Sequence, residues 1–203
     1  MICVIDYGMG NLRSVSKALE TMGARVFLGN SPRDVKRADK IVLPGVGEFG
    51  HAMKALSAQK LIEPLREIMT KKQKPFLGIC LGLQLLFDSS EESERIRGLA
   101  IFSGGVRRLP RKKLSLKIPQ MGWNQVEFMR TSPLTRGISS GSYFYFVHSY
   151  YAAPEDSNLC LGFTNYGIRF PSVLDAEPTF AVQFHPEKSQ RQGLKILRNF
   201  IAY

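Results

Sequence analysis

The chain has 203 residues, 44% of them hydrophobic and 22% charged, within the range that one α/β core can serve. A net charge of +11 raises the question of nucleic acid, but the densest basic cluster, Arg107-Arg108-Leu-Pro-Arg111-Lys112-Lys113 with Lys117 beyond it, has no interleaved aromatic residues and reads as a solvated loop between strands. No apolar run is long enough to span a bilayer, and three unclustered cysteines (Cys3, Cys80, Cys160) predict neither a metal site nor a disulfide framework.

Met1-Ile2-Cys3-Val4-Ile5-Asp6 lacks a basic start and reads as a core strand, not a signal peptide. With the cysteine pattern, this makes a reducing cytoplasm the expected location. Strands rich in Val, Ile, Leu and Phe are predicted over about 2–7, 25–28, 40–44 and 75–79, with helices over about 11–22, 49–57, 60–72 and 82–88. Such alternation predicts a mostly parallel sheet covered on both faces. The turn Gly8-Met9-Gly10-Asn11 lacks the third glycine of a dinucleotide fingerprint, so Asn11 reads as the cap of the following helix. Strands crowd the second half, at about 99–109, 121–129, 143–151, 159–165, 168–174 and 179–184, before a final helix over 190–202 with Leu194, Leu197 and Ile201 on one face. Within Tyr143-Phe144-Tyr145-Phe146, alternation buries one pair and exposes the other, which makes Tyr145 an interface candidate. Neither linker nor repeat interrupts the pattern, and one domain over 1–203 is expected. Cys3 and Cys160 lie in apolar strand patterns and read as core residues.

The most chemically loaded stretch is Gly78-Ile79-Cys80-Leu81-Gly82-Leu83-Gln84. It predicts a buried strand turning sharply into a helix with a cysteine at the corner, the logic of a nucleophile elbow. Glycines two residues before and two after remove side chains that would collide there, and a helix N-terminus favours negative charge at the sulfur. A buried structural cysteine in a glycine-rich turn would look similar. The distinction comes from Phe180-Ala181-Val182-Gln183-Phe184-His185-Pro186-Glu187-Lys188, an apolar strand expected to end at His185. A thiol nucleophile needs a base, and the base needs a third group to orient it. Strand ends of a parallel sheet converge on one edge, where Cys80, His185 and Glu187 could meet. Acyl chemistry also needs an oxyanion hole; the N–H of Leu81 is one candidate donor, and the Pro44-Gly45-Val46-Gly47 turn offers Val46 or Gly47 as the second. His148, mid-strand and without an adjacent acid, reads as structural, and His51 as exposed at a helix start.

The chain resembles the class I (triad-type) glutamine amidotransferases. The matching segments are Asp6 to Ser14, Pro44-Gly-Val-Gly-Glu-Phe-Gly50, Gly78 to Phe87, Pro119-Gln-Met-Gly-Trp-Asn124, Tyr145-Phe-Val-His-Ser-Tyr150 and Gln183-Phe-His-Pro-Glu-Lys-Ser189, spread over the whole chain. The elbow and His-Pro-Glu mark the class. The Asp-Tyr-Gly-x-Gly-Asn start, Pro-Gly-Val-Gly and Met-Gly-Trp-Asn are similar to a subfamily, the glutaminase subunits of imidazole glycerol phosphate synthase from histidine biosynthesis. Gln120 departs from it, since a histidine often stands there. The resemblance implies one α/β domain with a central mostly parallel or mixed sheet flanked by helices, and hydrolysis of L-glutamine without cofactor or metal. It implies that Gln84, Glu92, Ser149 and Tyr150 hold the substrate's α-groups, and that the peptide at Val46 flips to complete the oxyanion hole. It further implies a heterodimer with a (β/α)8-barrel cyclase subunit that receives ammonia, docked near Asn11, Trp123, Tyr145 and Lys188. A pyridoxal phosphate glutaminase is disfavoured by Val46 and Met-Gly-Trp-Asn, and a non-catalytic regulatory module by the presence of Cys80, His185 and Glu187.

Overall fold

A computed structural model describes residues 1–71, 73–110 and 117–203. Arg111, Lys112 and Lys113 of the basic cluster lie outside the described residues. Four apolar runs become the parallel core strands β1 (Ile2–Ile5), β2 (Val26–Gly29), β3 (Lys40–Gly45) and β4 (Phe76–Cys80). Between them lie α1 (Leu12–Thr21), α2 (Pro32–Arg37), α3 (Phe49–Ala58) and α4 (Ile62–Thr70), and α5 (Leu81–Gln84) follows β4. These strands are apolar at nearly every position because both sheet faces are covered. Ile2, Val4, Val42, Leu77 and Ile79 pack on one face, towards α1 and the C-terminal helix α6 (Gln190–Ala202). Cys3, Ile5, Ile41, Leu43 and Phe76 pack on the other, towards α2, α3 and α4. Both Cys3 and Cys160 are buried and free, as their strand patterns predict.

The remaining strands are β5 (Phe87–Ser90), β6 (Phe102–Arg108), β7 (Gln120–Phe128), β8 (Ser142–His148), β9 (Tyr150–Pro154), β10 (Cys160–Asn165), β11 (Arg169–Ala176) and β12 (Thr179–Val182). A nine-stranded sheet runs β2-β1-β3-β4-β12-β11-β10-β7-β8, parallel from β2 to β12 and antiparallel from there to β8. A three-stranded sheet runs β5-β6-β9. The predicted α/β class with a mixed sheet flanked by helices is therefore the observed one. No helix among the described residues is long and apolar enough to cross a membrane.

Four local expectations need correction. The helix expected over 82–88 is a single turn ending at Gln84; the chain turns at Leu85 and Leu86 and Phe87 starts β5, all three being buried all the same. The run 143–151 is two strands in different sheets, broken at Ser149. The strand before His185 ends at Val182, three residues early. Helix α2 is absent from the sequence expectation: Ser31 caps it, accepting from the Asp34 N–H, and Pro32 opens it, but Val35 is its one buried residue.

Candidate active site

The parallel strands β4 and β12 are adjacent, in register from Thr179 opposite Phe76 to Val182 opposite Ile79. Their C-terminal ends therefore leave the sheet side by side, as the topology of open α/β sheets requires. Cys80 ends β4 with φ 55° and ψ −108°, outside the regions comfortable for a residue with a Cβ. The flanking glycines are sterically required. A Cβ on Gly82 would stand 1.8 Å from the Leu43 carbonyl oxygen of β3, and one on Gly78 would stand 2.7 Å from that of Gly82. Leu81 opens α5, at a position whose N–H has no intrahelical partner.

His185 and Glu187 sit in the turn after β12. His185 Nδ1 donates to Glu187 Oε1 at 2.9 Å, and both side chains are buried. Nε2 is left for the sulfur side. Burial pulls the imidazole towards neutrality, but hydrogen bonds and charge from Cys80 and Glu187 outweigh it and push its pKa up from 6.5 to about 10. The turn is pinned to edge strand β8: His185 N–H donates to the Tyr145 carbonyl at 2.9 Å, Tyr145 N–H donates to Ser189 Oγ at 2.9 Å, and Ser189 Oγ donates to the His185 carbonyl at 2.6 Å.

A cavity of about 260 Å³ gathers Cys80, Leu81, His185, Val46, Gly47, Gln84, Glu92, Ser149, Tyr150 and Lys188, with Pro119, Val147 and His148. It thus collects ten residues singled out from the sequence, drawn from five separate segments. Glu187 stands behind His185. Glu92 also accepts from the Phe49 N–H at the start of α3, and burial raises its carboxyl pKa despite that bond, with Glu48 adding to the rise. Gly47 takes φ +101°, and a Cβ there would meet Met9.

Trp123 and Tyr145 lie outside the cavity, paired across β7 and β8 with ring centroids 6.0 Å apart. Lys188 Nζ sits 5.9 Å from the Tyr145 ring centroid, which links this exposed face to the cavity mouth. Trp123 is 45% exposed, Tyr143 55% and Met121 65%, while Phe144 and Phe146 are buried, the alternation read from the sequence. Asn11 caps α1, accepting from the Ser14 N–H. His51 is exposed near the start of α3.

The family description "Glutamine amidotransferase class-I" matches residues 3–203. The chain belongs to the class I glutamine amidotransferases. Proteins named imidazole glycerol phosphate synthase subunit HisH are among its relatives. The one from Aquifex aeolicus is 52% identical over 198 residues, covering 97% of this chain and 94% of the relative. The one from Moorella thermoacetica is 48% identical over 199 residues, covering 98% and 93%. A crystal structure described as glutamine amidotransferase superposes with a TM-score of 0.77 over 100% of this chain and 98% of the other; at 15% identity the likeness is one of fold.

The amidotransferase also holds buried polar residues in this region to which the sequence assigns no part in the chemistry, His148 among them as the structural histidine expected. Tyr7 is buried beneath the Pro44 turn, its hydroxyl donating to the Pro44 carbonyl at 3.0 Å, and burial with the nearby Cys80 raises its pKa. His148 is buried: Nδ1 donates to the Tyr150 carbonyl at 2.8 Å, and Gln120 Oε1 sits 3.1 Å from Nε2. Burial, reinforced by His185 and opposed by the Tyr150 bond, lowers its pKa to about 4. A neutral ring with its proton on Nδ1 has none to give at Nε2, so the Gln120 amide with its NH2 towards the ring satisfies both groups. Gln183 is completely buried between Gln84 and Cys80. The visible signal for it was one glutamine in the otherwise apolar run Phe180 to Phe184.

Proposed function

We propose that this chain, as one domain over 1–203, is the glutaminase subunit of an imidazole glycerol phosphate synthase. The observation that carries the chemistry is the convergence of Cys80 and His185, with Glu187 behind it, on one small cavity at the ends of β4 and β12. The subunit assignment is supported by the names of relatives at 48 and 52% identity that align over almost their full lengths.

In this reading Cys80 Sγ attacks the side-chain carboxamide carbon of L-glutamine while His185 takes the thiol proton. The tetrahedral intermediate carries a negative oxygen, held by the Leu81 N–H and by a donor from the Val46-Gly47 turn. His185 then protonates the departing ammonia, leaving a γ-glutamyl thioester on Cys80. Water, activated by His185, breaks the thioester and releases glutamate. Glu187 keeps the imidazole on the Nδ1–H tautomer and offsets the charge of its protonated form. The Gln84 amide NH2 is occupied by Tyr150 O and Gln183 Oε1, which leaves its oxygen for the substrate's α-ammonium. Glu92, Ser149 and Tyr150 complete that end.

Ammonia must reach a second site before water protonates it, which calls for a sealed partner. The partner in this reading is a (β/α)8-barrel cyclase subunit that joins ammonia to a phosphorylated ribulosyl intermediate. Trp123, Tyr145, Lys188 and Asn11 form the docking face, and partner binding turns the Val46 peptide to complete the oxyanion hole.

Glutamate release tests the reading. The chain alone is expected to turn over slowly, and addition of the cyclase with its ligand should raise the rate about tenfold or more. Cys80→Ala should be silent throughout. Cys80-dependent turnover that ignores the cyclase would refute the partner; no Cys80-dependent turnover under any condition would refute the glutaminase.

A further inference from the structure

A carboxamide with no exposure to water is costly unless both of its ends are partnered. Gln183 is such a group. Its Oε1 accepts from Gln84 Nε2 at 3.2 Å, and its Nε2 lies 3.7 Å from Cys80 Sγ, within reach of a bond to sulfur.

Polarity dictates which end faces which neighbour. The Tyr150 carbonyl only accepts, so Gln84 turns its NH2 to it, at 3.0 Å. The same NH2 meets Gln183, which must answer with its oxygen. The NH2 of Gln183 is then left for the sulfur. Turning either amide over breaks a buried bond. A single backbone carbonyl thereby orients two side chains in series, and the second aims a donor at Cys80.

The sulfur's surroundings give that donor a purpose. The Cys80 thiol donates to the Val147 carbonyl at 3.8 Å. Once the proton has gone to His185, an acceptor there has nothing to offer an anionic sulfur, which needs donors. Gln183 supplies one from a fixed position in the sheet.

We propose that Gln183 is a positioning residue of the glutaminase reaction: it donates to the Cys80 sulfur as it becomes anionic and ties its position to Gln84, the residue that holds the substrate. This rests on the glutaminase reading above.

The test uses steady-state glutamine hydrolysis by the complex with the cyclase. Gln183→Met matches the shape and makes neither bond. Gln183→Glu keeps an oxygen for Gln84 and replaces the donor with a second oxygen. Losing a hydrogen bond to a charged group should lower kcat roughly 10- to 100-fold in both variants. KM should rise in Gln183→Met and stay within about twofold of wild type in Gln183→Glu, since the bond to Gln84 survives there. A folded Gln183→Met enzyme with unchanged kcat would overturn the proposal, as would a loss confined to KM. If neither variant folds, Gln84→Met decides: freeing the Gln183 amide should depress kcat as well as raise KM, and a change in KM alone would count against the proposal. Failure of the underlying reading looks different, because the wild-type complex would then show no Cys80-dependent glutamate release at all.

Discussion

Cys80 sits at φ 55° and ψ −108°, a conformation that costs a non-glycine residue about 1–3 kcal/mol. The neighbours enforce it: β4 continues the sheet on one side, and α5 is pressed onto the Leu43 carbonyl on the other. Glycine escapes the penalty. Less the roughly 0.5–1 kcal/mol that glycine costs in unfolded-chain entropy, Cys80→Gly should still unfold at higher denaturant than Cys80→Ala, by up to about 2 kcal/mol, although both lack the sulfur. A Cys80→Gly variant less stable than Cys80→Ala by about 1 kcal/mol, the full entropy cost of glycine, would mean that the elbow holds no strain. His148 makes a second residue-level prediction, in pH. Its ordinary pKa is 6.5, and in the fold it is lowered to about 4. Between those values the unfolded chain binds a proton that the folded chain refuses. The His148 contribution to stability should thus be constant above pH 6.5, fall by about 3 kcal/mol as pH drops to 4, and level off below. His185 has the opposite sign: its pKa is raised to about 10, so its contribution is complete below 6.5 and is lost as pH climbs through 10. Denaturant unfolding of His148→Gln across pH 4 to 6.5 should show the shallower acid limb; a limb as steep as wild type would assign the acid loss to other groups.

At the level of elements, the elbow depends on how closely α5 approaches β3. The Cβ added by Gly82→Ala would stand 1.8 Å from the Leu43 carbonyl, and because backbone occupies both sides, neither can yield cheaply. The expected cost is about 4 kcal/mol or more, read as a lowered unfolding midpoint or loss of soluble protein. A variant within about 1 kcal/mol of wild type would show that α5 can shift outward. This glycine was legible from its spacing around Cys80 because steric exclusion is a local property. The core strands were legible for a related reason: burial on two faces demands an unbroken apolar run such as Ile2 to Ile5. The length of α5 was not, since Leu83, Leu85, Leu86 and Phe87 are buried whether the chain winds on or turns into β5. Helix α2 hid because six residues with one buried position make no periodicity, although Ser31-Pro32-Arg33-Asp34 carries the cap. The break at Ser149 hid as well, because both β8 and β9 bury part of their length and the pattern does not record a change of sheet.

For the whole molecule, the candidate site was legible to the extent that strand ends converge. Residues more than a hundred positions apart, Cys80 and His185, meet because β12 lies next to β4. What stayed hidden was the polar chain behind them, for a buried glutamine in a strand declares its partners only in three dimensions. The exposed ladder of β7 and β8 ties the proposed docking face to the same place. Tyr145 stacks edge-on against Trp123 on its outer side, while its backbone accepts from the His185 N–H. A partner seated on Trp123 would press on the strand that pins His185. Large, half-exposed aromatic residues at the centre of an interface commonly contribute 2 kcal/mol or more, so Trp123→Ala should weaken cyclase binding roughly 30-fold or more. Titrating the cyclase against stimulated glutamate release should move the half-maximal concentration by that factor. If the curve is unmoved while Met121 and Tyr143 substitutions shift it, the docking face lies along the same ladder but is centred elsewhere. If none of the three shifts it, the exposed ladder is not where the partner binds, and the aromatic pair serves only to stiffen the edge strand that holds His185.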